Sequence, residues 1–67
     1  MMNLIVNGKE HSVEDGMNVQ DLIEYFKLDT KFVAVGYNGD VVKKENYHSV
    51  VLVDGDRIEL VKPVGGG

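Results

Sequence analysis

The chain has no cysteine. Disulfides, thiolate nucleophiles and cysteine-based zinc sites are therefore excluded together, and a small secreted scaffold held by disulfides is not the expected class. No run of about 20 apolar residues is present, and no basic segment leads into an apolar one near the start, so neither a membrane span nor a signal peptide is expected. Basic residues are outnumbered seven to eleven, for a net charge of −4. Nucleic-acid binding rests on neutralising phosphates with Lys and Arg, so a basic protein partner suits this chain better.

Catalytic patterns are missing as well. No Gly-rich loop joins a strand to a helix, which removes P-loop and dinucleotide sites, so any ATP chemistry belongs to a partner. His11 and His48 lack a second metal ligand at useful spacing and read as surface residues. Asp54-Gly55-Asp56 resembles the start of a calcium loop but leads at once into a strand pattern, so it reads as a turn. Ser12, Thr30 and Ser49 have no His–acid partners. The expectation is a cytoplasmic protein, monomeric when free, that is not an enzyme and binds no metal or cofactor.

What is present is a clear sequence of small elements. Met2–Val6 reads as a strand, and Asn7-Gly8 is a strong type I′ hairpin signal, so Lys9–Val13 should return antiparallel. Asn18 stands where a helix cap would, with Asp21 three residues on, and Val19, Leu22, Ile23 and Phe26 form one apolar stripe. Met17 and Leu22 could staple the entry to that helix. The uncharged run Phe32–Tyr37 reads as a central strand buried on part of both faces. Asn38-Gly39 is a second hairpin turn, into Val41-Val42. Lys43–Tyr47 has neither period and predicts a 3₁₀ turn, with Lys43 and Lys44 solvated. His48–Val53 could begin another strand, and Arg57–Lys62 alternates as the last.

With 67 residues there is one domain, and a chain this short buries only about 60% of its unfolded surface. Hairpin, helix, then strands makes an α+β protein. A β-grasp, or ubiquitin-like, mixed sheet of four to five strands is expected, with one main helix on one face and the last strand parallel to the first. The expected core is Leu4, Val6, Val13, Val19, Leu22, Ile23, Phe26, Val33, Val35, Leu52, Ile58 and Leu60. Strand alternation then places Ile5, Ala34, Gly36 and Val61 on the opposite face, an apolar strip beside the root of the tail where a partner could dock.

The domain is expected to span residues 1–63 and to be followed by a glycine tail, residues 64–67. Three consecutive glycines cost much backbone entropy to hold rigid and contribute nothing to a core. They do make a slender arm that fits a slot too narrow for side chains. Gly67 at its end would be the chemical site, and Gly65 and Gly66 its delivery arm.

Asn38-Gly39, Val41-Val42, Tyr47, Asp54-Gly55-Asp56-Arg57-Ile58-Glu59 and Val64-Gly65-Gly66-Gly67, in this order, resemble the ThiS family of sulfur-carrier proteins of thiamin biosynthesis, over nearly the whole chain. Many members have Pro where Lys43 stands, a departure confined to a surface turn. The resemblance implies that the Gly67 carboxylate is adenylated by an activating enzyme related to those that charge ubiquitin. It would then become a thiocarboxylate, with sulfur from a persulfide donor, and pass that sulfur to thiazole synthase. The small subunit of molybdopterin synthase, which shares the fold and a Gly-Gly terminus, remains an alternative. So do a ubiquitin-like protein modifier and an interaction module with an inert tail.

Overall fold

Asn7 and Gly8 both adopt positive φ, 52° and 82°, the geometry a two-residue type I′ hairpin needs to match strand twist. The computed structural model describes residues 1–62, and this hairpin joins β1 (Met2–Val6) to β2 (Lys9–Val13). Asn38 and Gly39 repeat the device, with φ of 49° and 94°, between β3 (Ala34–Tyr37) and β4 (Asp40–Val42). The last strand, β5 (Arg57–Val61), lies at the centre of a five-stranded mixed sheet of order β2-β1-β5-β3-β4. It runs parallel to β1 and antiparallel to β3.

Helix α1 (Val19–Tyr25) opens on a reciprocal cap. The Asn18 side chain accepts from the Asp21 backbone N–H, and the Asp21 carboxylate accepts from the Asn18 backbone N–H, so two donors left open by the helix start are satisfied. Met17, just before the cap, is half-buried against the core. The helix closes with Leu28 N–H donating to the Ile23 carbonyl and Lys27 N–H to that of Glu24, a Schellman pattern. That pattern requires a left-handed residue, and here it is Lys27, with φ 59°.

The helix stripe and the alternate strand positions meet in one core: Leu4, Val6, Val13, Val19, Leu22, Ile23, Val33, Val35, Leu52, Ile58 and Leu60 are all buried. Met2 and Tyr47 join them. The Tyr47 hydroxyl donates to the Val33 carbonyl at 3.0 Å, which lets an aromatic ring with a polar tip close the core. Phe26, expected inside, is only partly buried. It caps the helix end and meets His11 edge to face, with ring centroids 5.1 Å apart. His11 is accordingly half-buried rather than a plain surface residue.

Three other expectations change. The β3 strand begins at Ala34, because Phe32 N–H is turned back to the Asp29 carbonyl. Phe32 is 64% exposed and Ala34 also faces out, so β3 is buried on one face only: the helix covers one side of the sheet. Residues 48–53 form no strand. Val51 makes a single antiparallel bridge to Asn18, and pairing cannot spread because the partner segment enters α1 at the next residue. The 3₁₀ turn Lys44–Asn46 forms as expected, but the Lys44 ammonium donates to the Lys31 carbonyl instead of standing free in solvent.

Candidate functional site at the root of the C-terminal arm

Gly65, Gly66 and Gly67 lie outside the described residues, as does the boundary expected at residue 63. The structure does show how the chain is delivered to that point. Strand β5 is held on both sides, by β1 and by β3, with Ala34 opposite Val61 and Val35 opposite Leu60. Beyond the end of β1, Asn7 continues the parallel ladder with its side chain. Its Oδ1 accepts from Leu60 N–H at 2.8 Å and its Nδ2 donates to the Leu60 carbonyl at 3.2 Å. One residue therefore makes the hairpin turn and fixes β5 two positions before Lys62.

The N-terminal end of β5 is fixed by Asp54-Gly55-Asp56. Both carboxylates accept hydrogen bonds from protein donors. Asp54 accepts from Asn3 N–H at 2.7 Å. Asp56, only 6% exposed, accepts from Val53 N–H at 2.9 Å, Tyr37 Oη at 2.8 Å and Asn38 Nδ2 at 3.1 Å. Burial works against the charge on Asp56, but these hydrogen bonds from Val53, Asn38 and Tyr37 outweigh it and hold the carboxyl below its ordinary range. The same contact, with burial and the nearby negative charge, raises the Tyr37 hydroxyl above its usual value. This network ties the β3–β4 hairpin to the start of β5. Sequence reading missed it because its members are 18 and 19 positions apart.

On the sheet face away from the helix, Ala34 and Val61 are cross-strand neighbours. Gly36 and Val41 are paired beside them, making a shallow apolar floor with Glu59, Asp40 and Arg57 around it. Ile5 is not part of that floor. It is half-buried opposite Arg57, four residues from Val61 along β5, or about 13 Å. The structure thus brings Ala34, Gly36 and Val61, three of the four residues expected on the docking strip, together at the tail root and leaves Ile5 at the far end of the strand.

No group of three or more His, Asp or Glu side chains is placed to hold a metal among the described residues. No helix there is long and apolar enough to cross a membrane.

The ThiS family model matches residues 3–67, through the last glycine. The chain belongs to the ThiS family. Like the thiamin-pathway carrier it resembled in sequence, it is similar to the sulfur carrier protein ThiS of Bacillus subtilis. The two are 43% identical over 65 residues, covering 96% of this chain and 98% of that one. The crystal structure of the thiamine biosynthesis protein ThiS from Geobacter metallireducens superposes with a TM-score of 0.85 at 36% identity, covering 98% of this chain and all of that one. The family's β-grasp is thus the fold seen here. A thiazole synthase from Paramagnetospirillum magneticum is 38% identical over 66 residues. The chain spans a fifth of the length of that protein and of a second thiazole synthase, from Magnetococcus marinus.

Proposed function

We propose that this ThiS-family sulfur carrier works through the carboxylate of Gly67. A carboxylate is a poor acyl donor because its oxygen is a bad leaving group. In the activating enzyme, a Gly67 carboxylate oxygen attacks the α-phosphorus of ATP and pyrophosphate departs, leaving an acyl-adenylate. The terminal sulfur of a protein persulfide then attacks the acyl carbon and expels AMP. A second thiol breaks the S–S bond of that adduct, which leaves a thiocarboxylate on Gly67 and a disulfide on the donor. Having no cysteine, the carrier has no thiol of its own to divert the activated ester.

The observation that carries this reading is the family match running through Gly67, set on a strand anchored at Asn7–Leu60 and Ala34–Val61. A firmly held root and a narrow arm suit presentation of a carboxylate within about 3–3.5 Å of its reaction partner. Thiazole synthase is the proposed acceptor. Two proteins of that name each contain a stretch similar to this whole chain, as expected of two activities that meet in the cell. The apolar floor of Ala34, Gly36, Val41 and Val61 is the proposed contact for the activating enzyme.

The test is adenylation itself, followed by release of pyrophosphate with ATP and the cognate activating enzyme. Deleting Gly67 shortens the arm by roughly 3.3–3.6 Å, and Gly66→Val adds bulk without shortening it. Both variants should lose activity while unfolding like the parent; full activity in either would refute the delivery role.

A further inference from the structure

Lys62 leaves the sheet at the end where β5 runs past the Asn7-Gly8 turn, which bonds Leu60. From Lys62 to Gly67 is five residues, a reach of roughly 17 Å. Any enzyme that takes Gly67 into its catalytic centre must therefore press its own surface against whatever surrounds Lys62. One part of those surroundings is the apolar sheet floor. The other is the α1–β3 loop, where Phe32 stands 64% exposed in a shallow recess shared with Lys27, Leu28, Asp29 and Lys62.

Among the described residues, leaving aside the first, Phe32 is the second most exposed large hydrophobic side chain after Val41. The cations around it are concentrated against the trend of the chain. Of seven basic residues in a protein of net charge −4, Lys27 and Lys62 line the recess, Lys31 precedes Phe32, and Lys44 reaches the Lys31 carbonyl. None of the four is in an ion pair among the described residues; the ion pair found there joins the N-terminus to Asp15. The acid in the recess, Asp29, is occupied in its own turn, where its side chain accepts from Lys31 N–H.

Resting on the sulfur-carrier reading, we infer that Phe32 with Lys27, Lys31 and Lys62 is a second docking surface. Its partner is the activating enzyme, which presents an acidic rim with an apolar recess beside the mouth of its tail channel. An exposed aromatic ring inside a ring of cations is suited to such a partner: the ring supplies a buried anchor, and the charges supply steering and register. The sheet floor and this loop then grip the tail root from two sides, which fixes the direction in which the arm enters.

The experiment measures steady-state adenylation of the full chain by its cognate enzyme, comparing the parent with Phe32→Ser, with Lys27→Glu/Lys62→Glu, and with Glu14→Gln at the acidic end as control. These positions are exposed, and circular dichroism melts establish that each variant is folded at the assay temperature. KM for the carrier should rise roughly tenfold in Phe32→Ser and in the double charge reversal, with kcat within about twofold. The parent's KM should rise with salt more steeply than that of the double variant. Glu14→Gln should change nothing. An unchanged KM in both loop variants, with the parent still charged, overturns the docking surface and leaves the carrier reading intact. Failure of the parent itself to be adenylated by an enzyme that charges a known carrier overturns the carrier reading, and the loop's assignment with it.

Discussion

The hydroxyl of Tyr37 donates to the carboxylate of Asp56 at 2.8 Å, joining the end of β3 to the turn that launches β5. Asp56 is nearly enclosed, and a buried carboxylate is tolerable only because each hydrogen bond it accepts favours its charged form.

The network makes stability pH-dependent in a defined direction. Folding lowers the Asp56 pKa from its ordinary 3.8, so the unfolded chain binds the proton more readily. The stabilisation from Asp56 is complete above about pH 4 and is lost as pH falls through the lower, folded value. Tyr37 is shifted upward from 10.0; its contribution is present below pH 10 and disappears as pH rises through the folded value. Tyr37→Phe should cost about 1 kcal/mol near neutrality and let the Asp56 pKa climb toward 3.8. Carboxyl titration by NMR checks this, and an unmoved Asp56 pKa would contradict the assignment.

Tyr47 tests a different kind of bond. Its ring is buried and its hydroxyl serves the Val33 carbonyl. Tyr47→Phe keeps the packing but orphans a buried acceptor, and should lower stability by about 1–3 kcal/mol in urea denaturation. Leu22→Ala, which opens a cavity beneath the helix, should cost about 2–5 kcal/mol.

Lys27 sits in a left-handed conformation at the helix end, where a side chain costs about 1–2 kcal/mol relative to glycine. Lys27→Gly should stabilise the fold by about 0.5–1 kcal/mol once the greater freedom of glycine in the unfolded chain is offset. A lower denaturation midpoint would show that the lysine side chain contributes packing that outweighs its backbone strain.

The sheet floor predicts an ordering of two variants. Val61→Asp puts a charge among Ala34, Gly36 and Val41 at the tail root, whereas Ile5→Asp changes the far end of the strand. Surface-plasmon measurements with the activating enzyme should show the larger loss of affinity for Val61→Asp, and the reverse order would place the contact near Arg57.

Local signals in the sequence were enough for much of this architecture. Asn-Gly pairs require positive φ at both positions, Asn18 and Asp21 satisfy each other at the helix start, and alternation in Arg57–Val61 shows which side of β5 is inward. The failures share a physical cause, which is that they depend on what lies across the chain. An uncharged run cannot reveal that only one sheet face is covered, so Phe32–Tyr37 read as a strand buried on part of both faces. The segment around Val51 has strand-forming residues, but its available partner turns into a helix. Asp56 reads as an ordinary turn residue because Tyr37 and Asn38 reach it only after folding. The tail was conspicuous for the opposite reason: Gly65, Gly66 and Gly67 make no sense as core, so they stand out in the sequence without any tertiary contact.

Sulfur carried on Gly67 must show as a change in the mass of the intact protein. Intact-mass analysis after incubation with ATP, the activating enzyme and a persulfide donor should show replacement of one oxygen by sulfur, with fragmentation localising it to Gly67 and transfer to thiazole synthase restoring the original mass. An unchanged mass under conditions in which the same enzyme and donor convert a known carrier would contradict it.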